Sequence, residues 1–258
     1  MKNSFLSTKL FLGTLISILP LTVASQLSVQ AIYGNNGNQY GNWVVQTADE
    51  GFVIAAQNDD FTGNGYNAWI VRTNSGDDTL WTRLVGGAAA DNFTSIVETA
   101  NGDIAAAGYQ SSFGAGGEDI WLVLFDNIGN VKWAKTYGGT GNDEAYVLKK
   151  TNDGGFIIVG SSNSFNINWD VYVIRTDSMG DTLWTRTYGG SGTDRGRDVL
   201  QTPDGGFVIV GESGFGQGNS DVYLLKIDSV GAAEWSKAYG TSSAEYGKPS
   251  NKPTTVVT

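Results

Sequence analysis

The polar and apolar positions of EAYVLKKTNDGGFIIVGSSNSFNINWDVYVIRTDSMGDTLWTRTY, residues 144–188, separate into four short segments. EAYVLKKT and TLWTRTY read as a first and a fourth strand, and FIIVGSS and DVYVIRTD between them are nearly continuous apolar runs rich in β-branched residues. Asn152-Asp153-Gly154-Gly155 separates the first two, and Ser178-Met179-Gly180-Asp181 the last two. Both groups tolerate positive φ, which tight hairpins require. Beyond the N-terminal stretch no segment carries a 3.6-residue period. The pattern predicts four antiparallel strands joined by two tight turns and one longer loop.

The same pattern recurs along the chain. Trp81, Trp133, Trp184 and Trp235 lie 52, 51 and 51 residues apart. Trp69, Trp121, Tyr172 and Tyr223 keep that spacing, and Phe52, Ile104, Phe156 and Phe207 keep it within a residue. Four units follow, 33–83, 84–135, 136–186 and 187–237, and residues 238–258 read as an incomplete fifth repeat with a tail. Units of this length with four strands fit the blades of a β-propeller. Second and third strands apolar on both faces are what blades sandwiched between neighbours need. The expectation is an all-β propeller of about four blades, as a small or partial ring. The four tryptophans are expected to pack blade on blade.

The repeated elements GG-x-G-x-D, T-x-D-G-G-F-I-I-V-G and D-x-Y-x-x-x-x-D-x-x-G-x-x-x-W resemble those of secreted bacterial delta-60-like or quinoprotein-like propeller proteins of the Bacteroidetes type. The D-x-x-G-x-x-x-W element, at Asp126–Trp133, Asp177–Trp184 and Asp228–Trp235, is similar to a tryptophan-docking motif, one residue shorter. In the first unit Asn74 replaces the aspartate and Gly76 comes one position early. The resemblance implies architecture more than activity.

At the N-terminus, Lys2 and Lys9 precede an apolar run from Leu10 to about Ala24, with Pro20 inside it and small residues before Gln26. This predicts a signal peptide, residues 1–25, an exported mature chain and no membrane span within it. Removing it takes away two lysines and no acid, leaving 14 basic against 26 acidic residues, a formal charge of −12. Nucleic acid is a poor partner for such a chain. Cysteine and histidine are both 0, which excludes disulfides, Ser-His-Asp and Cys-His catalysis and the usual zinc sites. The sequence points to no cofactor and no metal.

With direction alternating strand by strand, the long loops and the connections between units share one face, and the tight turns the other. On the loop-rich face a phenylalanine recurs at Phe61, Phe113, Phe165 and Phe215, suited either to stacking on sugar rings or to packing on a neighbouring blade. Asp119, Asp170 and Asp221 precede the third-strand aromatic and are read as fixing the corner from loop to strand, and Asp91, Asp143 and Asp194 stand just ahead of the first strands. Backbone N–H groups of the glycine-rich turns are their expected partners. Arg195, Arg197 and Asp198 break the repeat, standing where the third unit is read as having Ala145, Val147 and Leu148. Lys149 and Lys150 break it in the third unit. The binding candidates are therefore the four phenylalanines, Arg195, Arg197, Asp143 and Asp194. The expected function is non-catalytic binding of an extracellular glycan or protein, with self-association able to complete the ring. A carbohydrate-active or quinoprotein-like enzyme and a structural spacer within a longer surface protein are the alternatives.

Overall fold

The computed structural model describes residues 33–34, 37–59, 65–214 and 220–240. The expected signal peptide, most of the fifth repeat, Phe61 and Phe215 lie outside the described residues. Sixteen strands form four separate four-stranded antiparallel sheets, each ordered as in the chain. The first contains β1 (Asn38–Gln46), β2 (Phe52–Asp59), β3 (Asn67–Thr73) and β4 (Thr79–Val85). The second contains β5 (Asp91–Glu98), β6 (Ile104–Gln110), β7 (Asp119–Phe125) and β8 (Val131–Tyr137). The third contains β9 (Asp143–Lys150), β10 (Phe156–Ser162), β11 (Asp170–Thr176) and β12 (Thr182–Tyr188). The fourth contains β13 (Asp194–Gln201), β14 (Phe207–Ser213), β15 (Asp221–Ile227) and β16 (Ala233–Tyr239). Among the described residues there is no helix.

Among the described residues the sheets are propeller blades, stacked in chain order into an arc that is not closed into a ring. Extensive packing joins consecutive sheets, with β5, β9 and β13 each seated against the sheet before it. Ala105, Ile120, Leu122 and Tyr137 of the second sheet, for example, meet Leu148, Phe156, Ile158 and Tyr172 of the third in one buried cluster. Both faces of a middle blade are therefore core, which is why β7, β10 and β11 are buried along their whole length.

The tryptophans of the outer strands reach forward onto the next blade. The Trp81 indole N–H donates to the Asn127 carbonyl at 3.0 Å, and that of Trp184 to the Ser229 carbonyl at 3.1 Å. Trp133 and Trp184 meet Phe156 and Phe207 edge-on, with ring centroids 6.3 and 6.4 Å apart. Each indole covers a turn glycine at positive φ, Gly129, Gly180 or Gly231, where a side chain would strike the ring. In the first blade that position belongs to Asp77, at φ 65°, and not to Gly76. The glycine that looked displaced in sequence is replaced by a residue that tolerates the left-handed region through its short polar side chain.

The recurring T-x-D-G-G turn is a hydrogen-bonded unit. In the third blade the Thr151 hydroxyl donates to Asp153 at 2.6 Å, and the Gly155 N–H donates to the same carboxylate at 3.3 Å. The buried Arg175 guanidinium donates to both Asp153 oxygens at 2.5 Å. Arg72 and Asp49 repeat this in the first blade, and Lys226 and Asp204 in the fourth.

Candidate functional site

Every inner strand carries a β-bulge at the same place. The register slips between Gly41 and Trp43, Phe93 and Ser95, Ala145 and Val147, and Gly196 and Asp198. Asn42, Thr94, Tyr146 and Arg197 are thereby left as the unpaired residues. The bulge brings the inner strand so close to its partner that a methyl at Gly108, Gly160 or Gly211 would collide with the carbonyl of Asn92, Glu144 or Arg195. This accounts for the glycine closing F-I-I-V-G. Bulges re-aim side chains, and these four sit near the loop-rich end of the inner wall.

Pairing also corrects the alignment of the repeats. Glu212 pairs with Arg195 as Ser161 pairs with Glu144, so Arg195 corresponds to Glu144 and Arg197 to Tyr146, one position away from the sequence reading. The register is set by Asp143 and Asp194, which are the first residues of β9 and β13 and not residues ahead of them. Asp143 accepts from the Gly139 N–H at 2.9 Å and the Ser164 hydroxyl at 2.6 Å, and Asp194 from the Gly190 N–H at 3.0 Å. Asp91 accepts from the Gly87 N–H at 2.7 Å in the same way. These buried carboxylates anchor the connections between blades.

With the register fixed, four columns of unlike residues line the mouth of the inner wall. They are Tyr40, Asn92, Glu144 and Arg195; Asn42, Thr94, Tyr146 and Arg197; Gln57, Tyr109, Ser161 and Glu212; and Tyr66, Glu118, Trp169 and Ser220. In the first two blades the bulged residue ties blades together. Asn42 donates to the Phe93 carbonyl at 2.8 Å, and Thr94 to the Ala145 carbonyl at 2.8 Å. In the last two it builds a polar-aromatic cluster. The Tyr146 hydroxyl donates to Glu144 at 2.6 Å and lies 2.9 Å from the Ser161 hydroxyl. The Arg197 guanidinium stacks over the Tyr146 ring at 4.5 Å and donates to Glu212 at 2.9 Å. Arg195 lies over Trp169 at 5.9 Å.

The electrostatics of this mouth are uneven. Burial, then the charge of Glu144 and a hydrogen bond with it, push the Glu118 carboxyl up to about 7. Burial and the Glu144 bond push Tyr146 up to about 12, and burial raises Tyr109, whose neighbours include Glu118 and Glu144. Asp119 and Asp170 are raised by burial and by the facing Asp143 and Asp194. Among the described residues no group of three or more His, Cys, Asp or Glu side chains is disposed to hold a metal ion.

Of the residues singled out from sequence, Arg195 and Arg197 come together with Tyr146, Glu212 and Trp169, while Asp143 and Asp194 lie buried beneath the connections. Phe113 and Phe165 are 61% and 50% exposed, and Phe165 lies 5.2 Å from Tyr172. Both overlie the glycines of blade connections, Gly87 and Gly139, with one side of the ring open. Arg197 and Lys149 contact elements of other blades. Lys149 lies 3.3 Å from Asp198 and 5.5 Å over the Trp43 ring. Glu118, Glu144, Tyr109, Tyr146 and Trp169 were missed. Their signal was available as columns of unlike residues, but only in the correct register.

Comparison with protein-family models gives no match, and neither does comparison with curated proteins. Among solved structures, the chain is similar to one described as the crystal structure of the eukaryotic initiation factor, at 9% identity and a TM-score of 0.39. The match covers 77% of this chain and 55% of that one, so the chain spans little more than half of that structure's length.

Proposed function

We propose that this chain is an exported, non-catalytic propeller module that binds an extracellular glycan or protein at the mouth formed by Tyr109, Glu118, Glu144, Tyr146, Trp169, Arg195 and Arg197. The observation that carries the reading is the divergence of the four mouth columns on a scaffold whose turns, anchors and packing aromatics repeat. A scaffold that keeps its architecture and varies one patch is organised as a recognition surface. Partly exposed Tyr109, Tyr146 and Trp169 offer faces for sugar rings, and the Glu, Ser and Arg groups between them offer donors and acceptors for hydroxyls. Phe113 and Phe165 extend the apolar surface toward the loops. The acidic chain favours neutral glycans over anionic ones.

The test is calorimetric titration with a panel of neutral oligosaccharides, comparing the chain with Trp169→Ala and Arg195→Ala. Saturable binding weakened at least tenfold by each variant, with the fold kept, supports the reading. Binding that neither variant changes would place recognition elsewhere.

One observation favours a second reading. Glu118, held near neutral pH beside Glu144, has the property a general acid needs in glycoside hydrolysis. Release of reducing sugar that Glu118→Gln and Glu144→Gln both abolish would make the mouth catalytic.

A further inference from the structure

The three interfaces inside the chain are built alike. Each joins the forward face of one blade to the backward face of the next. The forward face carries an outer-strand tryptophan, and the backward face an inner-strand Ile, Leu or Val. At the two ends of the arc each half is left partly uncovered. On the fourth blade Leu200, Trp235 and Tyr239 are 64%, 42% and 52% exposed, whereas Trp81 is 9% and Tyr137 8% exposed. On the first blade Val44 is 59% exposed, whereas its counterparts Ile96, Leu148 and Val199 are 0%, 0% and 5%. Beside Val44 lies a hollow of about 590 Å³, lined by Gly41, Asn42, Trp43, Val44 and Ile54.

A further detail shows that the first blade's backward face is shaped for a neighbour. The Tyr137 hydroxyl donates to the Gly180 carbonyl at 2.7 Å, and the Tyr188 hydroxyl to the Gly231 carbonyl at 2.6 Å. Each is the last residue of a blade reaching into the turn of the next. The corresponding acceptor on the first blade, the Asp77 carbonyl, receives the Tyr33 hydroxyl at 2.8 Å. Tyr33 and Ile54 pack against the buried Ala56, Trp69 and Val71, and Val44 beside them stays open.

We propose that the occupant of each uncovered face is a second copy of this chain, docked head to tail, so that Leu200 and Trp235 of one copy cover Val44 and Ile54 of the other. This rests on the internal interfaces and is independent of the ligand-binding reading. The argument is continuity: a single chain carries both complementary halves of an interface that it already forms three times. A forward-to-backward contact is heterologous and closes when the rotation allows. Two copies supply eight blades, within the usual propeller range of roughly 4–8. On docking, Tyr239 of the incoming copy takes the Asp77 carbonyl from Tyr33, one hydrogen bond replacing another.

The test is the mass of the purified chain by light scattering over a range of concentrations, with Leu200→Arg and Val44→Arg. Both positions are exposed, and a far-UV spectrum checks that each variant folds. The expected result is a mass of two copies for the parent chain. Each variant alone should run as one copy, with self-association weakened at least a hundredfold. An equimolar mixture should regain a two-copy species, because the Leu200→Arg chain keeps its backward face and the Val44→Arg chain its forward face. Tyr33→Phe should associate at least as well as the parent. A parent chain of one copy at every concentration would overturn the proposal, as would a dimer indifferent to both substitutions. Failure of the mixture to associate would also overturn it, by showing a like-to-like contact.

Discussion

The hairpin face and the mouth of the arc treat their carboxyl groups in opposite ways. On the hairpin face hydrogen bonds to Arg72 and Thr47 hold Asp49 well below the usual carboxylate range, and those to Thr202 and Gly206, with Lys226, hold Asp204 down to about 2. Thr151, Gly155 and Arg175 lower Asp153 likewise. At the mouth burial and facing acids push Glu118, Asp119 and Asp170 the other way. One face is arranged so that its anions are stabilised by folding. The other carries carboxyl groups whose ionisation folding disfavours.

The contrast can be broken most severely on the hairpin face. Asp153→Ala leaves the Arg175 guanidinium, whose side chain is 6% exposed, without its carboxylate. Because Asp153 itself is 64% exposed, the cost lies in the stranded cation and amounts to about 2 kcal/mol. Urea denaturation should show the loss, and an unchanged midpoint would remove the framework role of this face. Thr94→Ala, which loses the bond to the Ala145 carbonyl between the second and third blades, should cost about 1 kcal/mol in the same measurement.

The mouth should behave differently. Trp169→Ala removes a partly exposed ring stacked by Arg195, and its effect on stability should stay near 0.5 kcal/mol. A loss as large as that of Asp153→Ala would mean that the mouth is framework too. A subtler separation comes from pH. Glu118 has a folded pKa of about 7 against its ordinary 4.5, so the folded state holds the proton more tightly than the unfolded chain. Its contribution is complete below pH 4.5 and is lost as pH rises through about 7. The hairpin carboxylates contribute in the opposite sense, fully above their ordinary range and lost as pH falls. Glu118→Gln should therefore flatten the decline of stability between pH 4.5 and 7 and leave the acid limb untouched. A parallel shift of the whole profile would contradict this.

What could be read in the sequence follows from which interactions are local. Strands, turns and blade number were legible because Trp81 and its counterparts recur, and because T-x-D-G-G needs only its own few residues to close. Asp77 was not legible: sequence marks the left-handed turn position by glycine, and the first blade fills it with a residue that bonds differently. Glu144 and Arg195 were legible as counterparts, because they keep the 51-residue spacing of Trp184 and Trp235, and pairing with the second strand exposes the one-residue slip in the reading of the inner strand. Glu118 and Trp169 reach the mouth from the end of the loop between the second and third strands of their blades, a placement that no short motif encodes.

Because the extensive packing among the described residues runs between consecutive blades, the array of blades is thermodynamically one-dimensional. In a single copy its opening should propagate like a zipper from the ends, where a blade is held by one neighbour, and reach the two middle blades last. Amide exchange would then report a ladder of protection, β14 and β15 exchanging before β10 and β11, in place of a single global event. A chain of this kind can gain or lose a terminal blade at the cost of one junction.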